Sequence, residues 1–363
     1  METELENILN AIQPPDRDAM DRALTRQAQL AKPPGSLGKL EDISVRLAGV
    51  TGKLHNEIDR RRILVFCADN GVTAEGVSCA PQSVTAAQAV NMTKHLTGMS
   101  AMAKHFGCEV VVSDVGIATP YHCPDVRDYN IAKGTKNFAK EPAMTRAQTV
   151  RAIMLGASLA DEAARDGVSV LGIGEMGIGN TTTSSAVLAA LTGLSVEAVT
   201  GRGGGVTDEG FLRKKRVIES ALALHRPDEN DPVDVLTKVG GLDLAAMCGA
   251  FLGAAANRIP VVIDGFISVV AALCAARLAP DAKSCFFPSH CSYEIGYRRA
   301  SDELELDPWL DLGMRLGEGS GCPLAFEVLD AACAVMNGMA TFDGAAIDDG
   351  YLEEIRRKDS FSV

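Results

Sequence analysis

Two acidic residues set among glycines carry the candidate chemistry of this chain of 363 residues. Glu175 lies in Gly172-Ile173-Gly174-Glu175-Met176-Gly177-Ile178-Gly179-Asn180-Thr181-Thr182, and Glu318 in Gly317-Glu318-Gly319-Ser320-Gly321. The first stretch follows an apolar strand-like run, Val168 to Leu171, and opens a helix-like one, Ser184 to Leu191, which is the layout of an anion cradle. Glycines let backbone approach a ligand closely, and the unpaired N–H groups and dipole of a helix N-terminus attract phosphate. A carboxylate inside such a cradle repels phosphate unless it faces something else, so Glu175 points to a second, proton-bearing part of a substrate. Around Glu318 the glycines leave the carboxylate accessible, and a neighbouring apolar segment can desolvate it and raise its pKa toward that of a general base.

A second glycine-rich loop, Gly201-Arg202-Gly203-Gly204-Gly205-Val206-Thr207-Asp208, runs into a helix bearing Arg213-Lys214-Lys215-Arg216, with Thr207 or Asp208 as its cap. Two glycine loops near one sheet edge with a lysine in reach favour phosphate binding, with Lys214 as the charge contact. A flexible connection followed by a solvated basic face is the competing reading. Gln88 sits on a helix-like run, where an amide is usually solvated but can also fix a planar heterocycle. Asp243 and Asp264 can accept hydrogen bonds from ribose hydroxyls, although Asp264-Gly265 is equally a turn signal.

Other chemistries fit less well. Gly172-x-Gly174-x-x-Gly177 satisfies the dinucleotide pattern, but the acid at the right distance, Glu197, follows Thr192-Gly193-Leu194 rather than a strand. There is no Gly-Lys-Ser/Thr of a P-loop. His290-Cys291, His122 and Cys123 match no zinc spacing, and Asp348-Asp349-Gly350 lacks the preceding strand of a magnesium-binding acidic pair. Neither a metal nor a cofactor is expected.

The elements that must position these residues alternate. Strand-like runs at Ile63 to Ala68, Val110 to Val115, Val168 to Leu171, Pro260 to Asp264 and Cys285 to Phe287 are separated by helical spacing at Ser83 to Phe106, Thr145 to Arg165, Ser184 to Leu191, Asp208 to His225 and Leu242 to Asn257. Such alternation predicts a parallel α/β sheet with helices on both faces and a ligand site beyond the carboxyl ends of its strands. Leu5 to Ala48 and Pro323 to Met339 read as helices outside this pattern, so residues 1–50 with 323–363 are expected as a small helical domain and 51–322 as the large one.

The net charge of −12 and pI near 5.0, with no long basic tract, argue against a nucleic-acid or anionic-membrane surface. Ten cysteines without a CxxC pair, and a polar stretch from Met1 to Arg17 lacking a signal-peptide core, fit a reducing cytoplasm. The apolar runs Leu244 to Ala256 and Gly265 to Ala276 fall short of the roughly 20 residues that span a bilayer.

Taken together, Lys32-Pro33-Pro34-Gly35-Ser36-Leu37-Gly38, Ala68-Asp69-Asn70-Gly71, Pro81 to Gln88, Gly174-Glu175-Met176-Gly177, Lys238 to Asp243, Ile263-Asp264-Gly265-Phe266, Pro288-Ser289-His290 and Arg315 to Gly321 resemble the nicotinate-nucleotide:dimethylbenzimidazole phosphoribosyltransferase family of cobalamin lower-ligand synthesis. The resemblance runs from about Leu30 to Met339. It implies a Rossmann-like sheet, a homodimer, and displacement of nicotinate from nicotinate mononucleotide by a benzimidazole-type base to give α-ribazole 5'-phosphate with anomeric inversion. By that likeness Glu318 is the catalytic base and Glu175 assists it. Gln88, Ala80 and Met176 lie at the base, with Ala80 standing where family members can carry serine. Gly177, Asn180, Thr181, Gly203 and Lys214 hold the phosphate, and Asp243, Asp264 and Ser292 surround the nucleotide. A nicotinamide-dinucleotide oxidoreductase and a non-catalytic nucleotide binder are the rival classes; loss of the acid at 318 would mark the latter, and Glu318 is present.

Overall fold

The computed structural model describes residues 2–353; residues 354–363, counted with the small helical domain on sequence grounds, lie outside the described residues. Six strands, β1 (Arg61–Ala68), β2 (Glu109–Gly116), β3 (Arg127–Asp128), β4 (Val170–Met176), β5 (Val261–Ile263) and β6 (Phe286–Pro288), form one parallel sheet in the order β3-β2-β1-β4-β5-β6. All but the first residue of β1 are buried, as expected of a strand covered on both faces. The strand order reverses between β1 and β4, which pair with Val65 opposite Gly174 and Phe66 opposite Glu175. A crevice at such a switch point is where open α/β sheets bind ligands.

Several features differ from the sequence expectation. First, the fourth strand starts at Val170 and continues through the glycines to Met176, so only Gly177 to Gly179 make the turn into the helix Asn180–Thr192. Gly172 and Gly174 serve the sheet: a Cβ on Gly172 would lie 2.6 Å from the Cβ of Cys322, and one on Gly174 would lie 2.4 Å from the carbonyl oxygen of Glu318. They admit the chain segment carrying Glu318 against the strand and do not cradle a pyrophosphate, which breaks the dinucleotide pattern. Second, the run Ser83 to Phe106 divides into the helices Ser83–Thr93 and Gly98–His105. His95 takes a left-handed φ of 58°, and Thr97 and Ser100 exchange side-chain and backbone hydrogen bonds in a capping box that starts the second helix. The short β3 carries no apolar run that sequence could show.

The helices Arg17–Gln29, Lys39–Thr51 and Cys322–Gly338 meet around Ala19, Ala23, Val45, Ala48 and Met336, and an antiparallel bridge joins Leu30 to Thr341. Ile43, Leu47 and Leu329 extend from this group into the core under the sheet. The helix Glu2–Ala11 instead packs on the helices Arg146–Arg165 and Leu242–Ala256. Among the described residues no helix is long and apolar enough to cross a membrane.

Candidate active site

A cavity of about 450 Å³ opens at the carboxyl ends of β1, β4 and β5, and Glu175 and Glu318 both line it. Glu318 is held in a turn of three successive left-handed residues, with φ of 86° at Gly317, 64° at Glu318 and 87° at Gly319. Glycine takes this conformation freely, whereas for a residue with a Cβ it costs about 1–2 kcal/mol. That strain is concentrated on the one residue whose side chain enters the cavity, a pattern common at functional sites. Glu318 is 4% exposed, and its Oε2 accepts the backbone N–H of Met99 at 3.2 Å. Met99 is in the first turn of the helix Gly98–His105, whose free N–H groups favour an anion. Burial raises the Glu318 pKa and the Asp264 charge adds to it, opposed by the Met99 and Thr97 hydrogen bonds.

Glu175 meets this turn directly: its Oε1 accepts the Glu318 backbone N–H at 3.4 Å, and its Oε2 accepts from Asn180 Nδ2. The same amide nitrogen lies 3.3 Å from Asp243 Oδ2, so Asn180 bridges two buried acids. Burial, followed by the charge of Asp243, pushes the Glu175 pKa up to about 8, and burial raises Asp243 to about 6. Burial thus favours the protonated form of Glu175 and weakens the repulsion that a carboxylate in a phosphate cradle would create.

The raised values have a consequence for stability. An unfolded Glu titrates at 4.5 and the folded Glu175 near 8, and an unfolded Asp at 3.8 and the folded Asp243 near 6. Between each pair of values the folded chain holds the extra proton, so the folded state loses stability as pH rises. The melting temperature should fall across the window from about 4.5 to 8, and Glu175→Gln should flatten that slope. Equal slopes for variant and wild type in melting curves would contradict the titration of Glu175.

The remaining residues fall into two groups. Gln88, Ala80, Met176, Gly177, Asn180, Thr181, Gly203, Asp264 and Ser292 all line the same cavity as the two glutamates. Gln88 is half-buried on the helix Ser83–Thr93, with its Oε1 accepting from Asn91 Nδ2 at 3.0 Å. Lys214 and Asp243, by contrast, stand behind the wall. Lys214 is 1% exposed and its Nζ donates to Thr181 Oγ1 at 2.9 Å and to the Gly201 carbonyl at 3.1 Å, with burial lowering its pKa to about 8. It ties the second glycine loop to the N-terminus of the helix Asn180–Thr192, so its charge reaches the cavity through Thr181. Of its neighbours, Arg213 pairs with Glu209 on the exposed face, while Lys215 is mostly covered, over the Phe211 ring and 3.6 Å from Glu197. Asp243 has no exposed surface and accepts the N–H of Leu244 at 2.9 Å as well as the Asn180 amide.

Glu294, which sequence reasoning missed, lines the cavity as well, as do His290 and Arg315, which the family motifs contain but to which no site role was assigned. Glu294 precedes the helix Ile295–Glu303 and faces the second glycine loop, accepting from the Gly203 backbone; burial raises its pKa and Lys214 opposes the rise. Nothing local marks it, because its approach to Gly201 and Gly203 is set by chain segments far apart in sequence. Met99 is equally silent, since it contributes through a backbone N–H.

Relatives share both the sequence and this architecture. A phosphoribosyltransferase family model matches residues 12–347. The nicotinate-nucleotide–dimethylbenzimidazole phosphoribosyltransferase of Clostridium perfringens (strain ATCC 13124) is 50% identical over 359 residues, 99% of each chain, and that of Clostridium tetani is 45% identical over 98% of each. The crystal structure of the Thermus thermophilus enzyme of the same name is similar with a TM-score of 0.87 and 39% identity, covering 92% of this chain and all of that one. The chain belongs to the nicotinate-nucleotide–dimethylbenzimidazole phosphoribosyltransferase family.

Proposed function

We propose that this protein transfers the phosphoribosyl group of nicotinate mononucleotide to 5,6-dimethylbenzimidazole or a related base, releasing nicotinate and forming α-ribazole 5'-phosphate for the cobalamin nucleotide loop. The observation that carries this reading is the meeting of Glu318, Glu175 and two glycine loops around one cavity at the switch point of the sheet. The names of the full-length relatives supply the substrate class.

A benzimidazole nitrogen attacks the anomeric carbon as the other ring nitrogen loses its proton. A carboxylate accepting that proton strengthens the nucleophile in the transition state, and Glu318, with its raised pKa, is the acceptor. The new C–N bond forms as the bond to nicotinate breaks, and its electron pair returns to the pyridinium nitrogen, so nicotinate's ring leaves neutral. Attack opposite the leaving group inverts β to α. Glu175, its pKa raised by burial, accepts the Glu318 backbone N–H and fixes the base's turn.

Gln88, Ala80 and Met176 contact the incoming base, and the half-buried amide of Gln88 gives it a polar edge to recognise. Gly177, Asn180, Thr181 and Gly203 surround the phosphate, with Lys214 polarising Thr181 from behind and Asp243 fixing Asn180. Ser292 lies at the nucleotide, and Asp264 lines the same cavity with its oxygens on the turn of Glu318. The protein acts in the cytoplasm as a homodimer, with the helices Arg17–Gln29, Lys39–Thr51 and Cys322–Gly338 as the core of a smaller lobe; exposed Tyr293, Ile295 and Leu316 beside the cavity offer apolar surface to a second copy.

Incubating the protein with nicotinate mononucleotide and a panel of benzimidazoles, purines and phenols, followed by mass spectrometry, tests the assignment. A ribosylated base phosphate together with free nicotinate is the expected outcome; no product with any base would remove the proposal.

A further inference from the structure

Asp264 lines the cavity, yet neither of its carboxylate oxygens is free. Oδ2 accepts the backbone N–H of Gly319 at 3.0 Å and Oδ1 that of Gly321 at 2.7 Å. Both donors belong to the turn that carries Glu318 in its left-handed conformation. Successive backbone N–H groups of such a turn form a concave nest for an anion, and here the anion is a side chain of the protein itself.

Asp264 is in turn held from three sides. It is 1% exposed, its N–H donates to Ser268 Oγ at 3.2 Å, and its carbonyl accepts from Ser289 Oγ at 3.1 Å. His290 Nδ1 stands 3.8 Å from Oδ1. The residue directly follows β5, so the anchor for the turn is the rigid end of the sheet rather than another loop.

The turn needs such an anchor. Its backbone lies against Gly174, where a Cβ would sit 2.4 Å from the Glu318 carbonyl oxygen, so the turn has no room to shift toward β4. On the other side the Glu318 carboxylate must reach the Met99 N–H and the cavity together. A small rotation of the turn would withdraw the base from the reacting ring nitrogen.

We propose that Asp264 is a positioning residue for the transfer reaction, clamping the Gly319 and Gly321 N–H groups so that Glu318 stays aimed into the cavity, and that it is not a ligand of the ribose. This rests on the reading of Glu318 as the base. Burial raises the Asp264 pKa above its ordinary value, opposed by His290 and the turn's N–H groups, and the clamp itself is the pair of hydrogen bonds from Gly319 and Gly321.

The test compares Asp264→Asn, Glu318→Gln and the double variant under steady-state conditions with nicotinate mononucleotide and dimethylbenzimidazole. Asparagine turns an N–H donor toward one of the turn's own N–H groups and releases the clamp on that side. Asp264→Asn should lower kcat about 10²-fold, the loss typical of a misplaced catalytic group, with the KM for the nucleotide within about twofold of wild type. The double variant should be no slower than Glu318→Gln alone, because the clamp acts only through the base.

A raised KM with kcat unchanged would make Asp264 a ribose ligand and overturn the proposal, as would multiplicative losses in the double variant. Unimpaired turnover in Glu318→Gln alone would strike the base assignment, a failure distinct from that of the clamp. Should Asp264→Asn fail to fold, amide hydrogen exchange over Gly317 to Gly321 in the wild type decides: protection that persists with nicotinate mononucleotide bound supports the clamp. Protection lost on nucleotide binding, as Asp264 leaves the turn for the sugar, overturns it.

Discussion

Glu318→Gln is expected to bind nicotinate mononucleotide as wild type does while losing roughly 10²- to 10⁴-fold in kcat, the usual worth of a general base. The amide keeps the shape of the side chain and an oxygen for the Met99 N–H, and the turn's contacts to Asp264 and Glu175 involve its backbone rather than the side chain. What disappears is the ability to take a proton from the azole. Isothermal titration with the nucleotide and a steady-state assay separate the two quantities, and unchanged turnover would refute the role of Glu318. Because burial raises the pKa of this carboxylate, wild-type activity should also fall on acidification at a higher pH than an exposed glutamate would give.

Gly156→Ala should be strongly destabilising, although alanine normally stabilises a helix interior by about 1 kcal/mol over glycine. The helices Arg146–Arg165 and Leu242–Ala256 touch backbone to backbone. A Cβ on Gly156 would lie 1.8 Å from the Ala246 carbonyl oxygen, and one on Gly249 the same distance from that of Ile153. No flexible side chain is there to move aside, so the helices themselves must separate. The cost should reach or exceed the upper part of the roughly 1–3 kcal/mol typical of overpacked cores. Since Asp243 starts the second of these helices and meets Asn180, activity should fall along with the midpoint of urea unfolding. A midpoint at or above that of wild type would show that the two helices part freely.

The architecture was legible because parallel strands buried on both faces leave apolar runs, and the glycine-rich turns between runs and helices mark one sheet edge. The strand ending at Ala68 and the helix Asp208–His225 follow from such local signals, whereas a common site for Glu175, Glu318 and Gln88, which line one cavity, is what the family resemblance implies. Gly172 and Gly174 show the limit: glycine marks a cradle and a close backbone contact with the same letter, and only the position of Cys322 and Glu318 distinguishes them.

The division of labour among the charged residues is a tertiary matter for the same reason. Sequence supplied the acids and the lysine, because residue type alone fixes what a group can donate or accept. Which oxygen meets which N–H, that Asp264 is occupied by the turn of Glu318, that Lys214 works through Thr181, and that the Glu175 pKa is raised depend on distances of a few ångströms between segments remote in the chain. Burial and hydrogen-bond geometry set those properties, and both exist only once the sheet has brought the segments together.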